Sequence, residues 1–156
     1  RAPDAEETFR KNLTYAAQKA LDYGKIILIE PLNLEDNPGY HLSTLDEALA
    51  TLDAVKRPNL KIMFDCYHQQ IMQGNLLQKL RKHLPKIGHI QFANVPGRKE
   101  PDKGEINFPW LFSEIDQIGW EGFLGAEYIP LKKTEDSLGW LKQHLSGAEC
   151  FIRSSL

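Results

Sequence analysis

Cysteine is scarce in this chain of 156 residues. Cys66 and Cys150 are the two present, and they lie in unlike contexts. That usage argues against a disulfide scaffold and for a reducing compartment, so the expected location is cytoplasmic. No CxxC pair occurs, which speaks against a structural zinc site built on thiolates. Long apolar runs are missing too: stretches such as IILI at residues 26–29 are far too short to cross a bilayer, and no membrane association is expected. Basic charge is not in excess, since 19 Lys and Arg against 21 Asp and Glu leave a net charge of -2. A nucleic-acid partner, which needs a basic face, is therefore not expected. The opening residues RAPDAEETFRKN are polar and carry no leader pattern. The chain starts on Arg1 rather than Met, inside a helical pattern, and the expectation is a fragment, a processed chain or an incomplete gene product.

What is present is alternation. Residues 4–23 read as a helix, with Phe9, Leu13, Ala16, Ala17, Ala20 and Leu21 at helical spacing and Gly24 as a stop. Residues 25–30 (KIILIE) read as a buried strand ended by Pro31, followed by a loop of turn formers. Thr44 and Glu47 form a capping box for a helix that runs to about residue 56 and is closed by Pro58. A strand at 60–64 (LKIMF), a helix at 76–84 stopped by Pro85, and a strand at 88–93 (GHIQFA) follow. A long loop, NVPGRKEPDKGEINF, leads to a helix with Pro109 near its start. A strand at 122–128 (GFLGAEY) and a helix from Thr134 to about residue 145 complete the pattern. Apolar strands alternating with helices mean a parallel sheet covered by helices, an α/β fold. Four βα units are half of an eight-unit barrel, and they also suffice for a small doubly wound sheet, so the pattern leaves both open.

The ends of the strands carry the chemistry. Strand one ends at Glu30, strand two at Asp65, strand four at Glu127, and strand three contains Gln91. In parallel α/β folds the carboxyl ends of the strands build the site. Any one of these residues alone reads readily as a polar cap. Four on one rim do not, because neighbouring carboxylates repel and lose solvation unless a cation compensates. Three carboxylates and an amide form an all-oxygen set, suited to a hard divalent cation such as Mg²⁺ or Mn²⁺. His68, three residues past Asp65, is placed either to donate to a substrate oxygen or act in proton transfer, or else to sit at the surface or behind the residues that touch the ligand. His89 should share the strand face of Gln91, one layer deeper, in a hydrogen-bonded core role. In the long loop, Arg98 is a candidate partner for a substrate carboxylate, with a solvated loop arginine as the alternative. Glu105 is a candidate for orienting the site.

IEPLN (29–33), FDCYHQQIMQGN (64–75), GHIQFANVPGRKEPDKGEINFPWLF (88–112) and GFLGAEYIP (122–130) together resemble the hydroxypyruvate isomerase family of the xylose-isomerase-like (β/α)8 TIM barrels. The resemblance covers roughly residues 4–145 and implies that residues 1–147 are the last four βα units of such a barrel, preceded by one helix, with 148–156 an unassigned tail. It implies interconversion of hydroxypyruvate and tartronate semialdehyde by proton transfer through an enediolate, with a divalent metal, Mg²⁺ or Mn²⁺, and no organic cofactor. Glu30, Asp65, Gln91 and Glu127 match the family's metal positions, and Glu30 and Glu127 its proton donor and acceptor. His68 matches a position near the substrate. Gln91 stands where sugar isomerases and epimerases of the wider superfamily often carry histidine. The competing readings are a ketose epimerase or isomerase and an inactive truncated binding module. The partners expected are a small hydroxy-carbonyl acid and either a missing N-terminal half or a second copy, because half a barrel leaves open edges and apolar faces.

Overall fold

The computed structural model describes residues 4–141. Strands β1 (Ile27–Ile29), β2 (Leu60–Asp65), β3 (Ile87–Phe92) and β4 (Leu124–Ala126) form one sheet in which each strand lies beside its neighbour in sequence. All three pairings are parallel. Helix α1 (Ala5–Leu21) precedes β1, and α2 (Leu45–Val55), α3 (Cys66–Met72), α4 (Leu76–His83) and α5 (Phe108–Gln117) fill the crossovers. A doubly wound sheet reverses its strand order at a switch point, whereas a barrel winds in one direction. The order β1-β2-β3-β4 is that of a barrel segment.

Strand register sorts the side chains into two faces. Ile29 pairs with Ile62, Phe64 with Ile90, and Phe92 with Ala126, so these residues share one face. Ile29, Ile62, Phe64, Ile90 and Phe92 are all buried, against Ala17, Leu45, Ala48, Leu80, Leu111 and Ile115 of the helices. Phe92 also meets Phe108, Phe112 and Trp140, with ring centroids 5.4, 4.8 and 5.5 Å away. The other face carries Leu28, Lys61, Met63, His89 and Gln91, all partly exposed. Ile26 and Phe123, at the amino ends of β1 and β4, are 49% and 80% exposed. Among the described residues, β1 and β4 each have a strand on one side only.

The capping box forms as read from the sequence: Glu47 N–H donates to Thr44 Oγ1 at 3.2 Å and Thr44 N–H to Glu47 Oε2 at 3.1 Å. Two strands are shorter than expected. β1 and β4 span three residues each, because one-sided pairing closes few ladder bonds. Glu30 and Glu127 therefore stand just past the strands, though Glu127 N–H still donates to Phe92 O at 3.0 Å. Helix α3 was not expected. It starts directly on the end of β2, where Asp65 acts as N-cap by accepting from Tyr67 N–H at 2.9 Å. The helix expected from Thr134 opens as a 3₁₀ turn, Thr134–Ser137. Its far end, His144 and the tail lie outside the described residues, as does Cys150.

Candidate active site at the strand ends

Glu30 and Asp65 leave adjacent parallel strands on the partly exposed face, and α3 folds back so that His68 lies over both. A carboxylate oxygen of Glu30, one of Asp65 and a ring nitrogen of His68 lie within 4.8 Å of one another. His68 Nε2 is 4.0 Å from Glu30 Oε1 and 3.8 Å from Asp65 Oδ2. The Asp65 side chain is fully buried and that of Glu30 one-quarter exposed. Burial, then the charges of Asp65 and Glu127, push the Glu30 carboxyl up to about 7, against the pull of Arg98. Burial raises Asp65 to about 6, with the Tyr67 N–H and Arg98 working the other way. His68 falls to about 4, through burial and then the positive charge of Arg98, so its ring is neutral at pH 7.

Arg98 reaches the same rim from the long loop after β3. Asn94 is buried and organises that loop: its side chain donates to Pro101 O and Ile106 O and accepts from Val95 and Ile106 N–H. A Cβ on Gly104 would collide with the Asn94 side chain and the Val95 carbonyl, so this turn requires glycine. Arg98 itself takes a left-handed conformation, φ 55°. Its Nη2 lies 3.3 Å from Asp65 Oδ2 and 2.9 Å from Glu127 Oε2, and its Nε donates to Glu127 O at 3.2 Å. The guanidinium also lies over the Tyr67 ring, 5.5 Å from its centroid. It is therefore part of the cluster rather than a solvated loop arginine.

Gln91 pairs in register with Asp65 on one side and Gly125 on the other, which sets it in the middle of the rim. His89 lies one layer below, and a Cβ on Gly125 would come within 2.8 Å of its Nε2, so the small residue makes room for the ring. Glu105 does not join the cluster. It is exposed and lines a groove with Gln70, Asn75, Asn107 and Trp110. Sequence reasoning missed Asn33, Asp36 and Tyr67. Asn33 is fully buried, its backbone N–H and side-chain Nδ2 both meet His68 Nδ1, and Asp36 accepts from Asn33 Nδ2 and from the Tyr67 hydroxyl. The Asn and Asp of LNLED were legible as turn formers, but nothing local showed that the turn would reach α3.

The donor set fits a divalent cation. Glu30 Oε1 and Gln91 Oε1 are buried and accept no hydrogen bond within the described residues. Buried acceptors left without a donor are costly, and two carboxylates whose protonation is favoured chiefly by burial are costlier when ionised. A hard cation would satisfy both conditions through oxygen alone.

A one-directional parallel segment with carboxylates, an amide and a histidine gathered at its strand ends defines a class of α/β barrel proteins whose rim could hold a metal ion. Residues 1–144 match the family model of the xylose isomerase-like TIM barrel, and the chain belongs to that family. The 2-oxo-tetronate isomerase of Cupriavidus necator is 47% identical over 138 residues, which is 88% of this chain and 53% of that protein. The hydroxypyruvate isomerase of Escherichia coli is 42% identical over 134 residues, 86% of this chain and 52% of that protein. A solved structure described as an AP endonuclease of family 2 from Brucella melitensis superposes with a TM-score of 0.86 at 43% identity, covering 89% of this chain and 54% of that one. The chain thus spans about half the length of the relatives it matches. No helix among the described residues is long and apolar enough to cross a membrane.

Proposed function

We propose that this chain supplies the proton-transfer half of an isomerase for small hydroxy-carbonyl acids, interconverting hydroxypyruvate and tartronate semialdehyde (2-hydroxy-3-oxopropanoate). The observation that carries the reading is the convergence of Glu30, Asp65 and His68 at one rim, with Glu30 Oε1 and Gln91 Oε1 buried and without donors among the described residues. Glu30, Asp65, Gln91 and Glu127 would hold a divalent cation, Mg²⁺ or Mn²⁺. When bound, such an ion neutralises the carboxylates and polarises a substrate oxygen.

The chain's own residues then do the following. One of Glu30 and Glu127 removes a proton from C3 of hydroxypyruvate, and the other delivers a proton to C2. The hydroxyl proton moves from O3 to O2, so composition is unchanged and no hydride leaves. Without a cation, burial and the charges of Asp65 and Glu127 raise the Glu30 carboxyl to about 7; a bound cation would pull it back down, into the ionised form that accepts a proton. The Arg98 guanidinium, already in the cluster, offers paired donors to the substrate carboxylate. The 47% identity to a 2-oxo-tetronate isomerase favours a second substrate reading, a longer 2-oxo sugar acid handled by the same two glutamates.

The test is proton exchange in D₂O, followed by NMR, with hydroxypyruvate and 2-oxo-tetronate in turn. It is run on the chain alone and on the chain joined to the unmatched part of the Cupriavidus relative. Metal-dependent deuterium incorporation into one acid is expected, and Glu127→Gln should lower it by about 10²-fold or more. Undiminished exchange in that variant would remove Glu127 from the proton-transfer pair.

A further inference from the structure

His68 belongs to the tight group of potential cation ligands, yet the family resemblance implies a place near the substrate. Its hydrogen bonds decide between these roles. The backbone N–H of Asn33 donates to His68 Nδ1 at 3.1 Å. The Asn33 side chain is fixed by Asp36, whose N–H donates to Asn33 Oδ1 at 2.8 Å and whose Oδ2 accepts from Asn33 Nδ2 at 2.9 Å. The same Nδ2 is the atom 2.7 Å from His68 Nδ1. The Tyr67 hydroxyl, 2.7 Å from Asp36 Oδ2, braces the far side of this turn.

Two N–H groups thus converge on Nδ1. An N–H offers no lone pair, so a proton on Nδ1 would face two other protons with no acceptor. Nδ1 must be the acceptor, and the ring proton is on Nε2. That nitrogen is the one turned toward Glu30 Oε1 and Asp65 Oδ2, and it has no hydrogen-bond partner among the described residues. A nitrogen that carries a proton has no lone pair left for a cation.

We propose that Asn33 is the positioning residue that locks His68 in the Nε2-protonated tautomer, the form in which a histidine at the substrate position implied by the resemblance donates to a substrate oxygen and offers no lone pair to a cation. The ligands are then oxygen alone. A substrate carbonyl or hydroxyl beside Glu30 and Asp65 accepts from Nε2–H, and a hydroxyl there can also donate to either carboxylate. Asn33 is a positioning residue: it acts on the substrate through the ring. The substrate part of this proposal rests on the isomerase reading, whereas the tautomer and the ligand set do not.

The experiment uses the full ¹⁵N-labelled chain, metal-free and then saturated with Zn²⁺, the divalent ion most inclined to take an imidazole. Long-range ¹H–¹⁵N spectra report the protonation of each His68 nitrogen. The expected result is a proton on Nε2 and an unprotonated Nδ1 in both states. An Nδ1–H tautomer, or loss of the Nε2 proton on adding Zn²⁺, overturns the proposal. In Asn33→Leu, which keeps the backbone donor and removes the side-chain one, the Nδ1 resonance should move toward that of a less strongly bonded nitrogen while the rest of the spectrum stays folded. An unmoved Nδ1 removes the Asn33 side chain from the positioning role. Mn²⁺ affinity should change by less than about threefold in His68→Ala, and a loss of about 10-fold or more would make His68 a ligand after all. A chain that passes these tests and exchanges protons into neither acid overturns the isomerase reading alone.

Discussion

The two faces of the sheet are built from alternate residues of the same strands, yet they have opposite fates. Ile62 and Phe64 of β2 are wholly buried under the helices, while Lys61 and Met63, which alternate with them, remain partly exposed. The helical side is a finished core. The other side carries the carboxylate rim, capped by His68 and Arg98, and the residues below the rim stay partly exposed. Before the rim is reached, stability and the open face are therefore drawn from separate sets of side chains one residue apart, and a substitution in one should have little effect on the other.

The largest test of that separation is a matched pair on β2. Phe64→Ala should cost about 3–5 kcal/mol, since a fully buried ring leaves a cavity the helices cannot close. Met63→Ala, on the open face, should cost less than about 1 kcal/mol. Urea unfolding of both variants checks this, and equal losses would mean that the open face is covered in solution.

The rim should respond to pH where the core does not. The folded-state values of Asp65, about 6, and Glu30, about 7, lie above the ordinary 3.8 and 4.5. The fold thus favours their protonated forms, and this contribution is fully present below pH of about 4 and is lost as pH rises through about 6 and about 7. Divalent-cation affinity should rise over the same interval, because the cation needs both carboxylates ionised. Metal-free unfolding measured across this range, with an Asp65→Asn, Glu30→Gln double variant as reference, isolates the effect. The same slope in the double variant would assign it to other groups.

The smallest expected effect tests the helical side at its periphery. Thr44→Ala removes one half of the capping box and should cost about 1 kcal/mol, with cation affinity unchanged.

Much of the fold was legible because its signals are local. The capping box at Thr44 and Glu47, the helical spacing of α1 and the Pro58 and Pro85 stops need a few adjacent residues each. Glu30, Asp65, Gln91 and Glu127 could be selected from strand ends alone, since one rule about parallel sheets fixes which rim they share. Helix α3 was not legible, because the residue that caps it also ends a strand and gives no break between the two. The Asn33–His68 contact spans 35 residues and closes only when β1 and β2 stand side by side. The position of Arg98 likewise depends on Asn94 tying its loop down, which no spacing rule reports. Glu105 looked close to the site in sequence, yet the same loop turns its side chain outward to the groove beside Trp110.

Asp65 is the last residue of β2, the cap of α3 and a member of the carboxylate group at once. Three demands on one position leave it almost no freedom to vary: alanine would uncap a helix, unbalance Arg98 and empty part of the rim together, and its phenotype could not be read. Asparagine keeps an oxygen for the Tyr67 N–H while discarding the charge. It is the one exchange that divides architecture from electrostatics there, and a redesign of this pocket for another ion or acid would have to begin from that constraint.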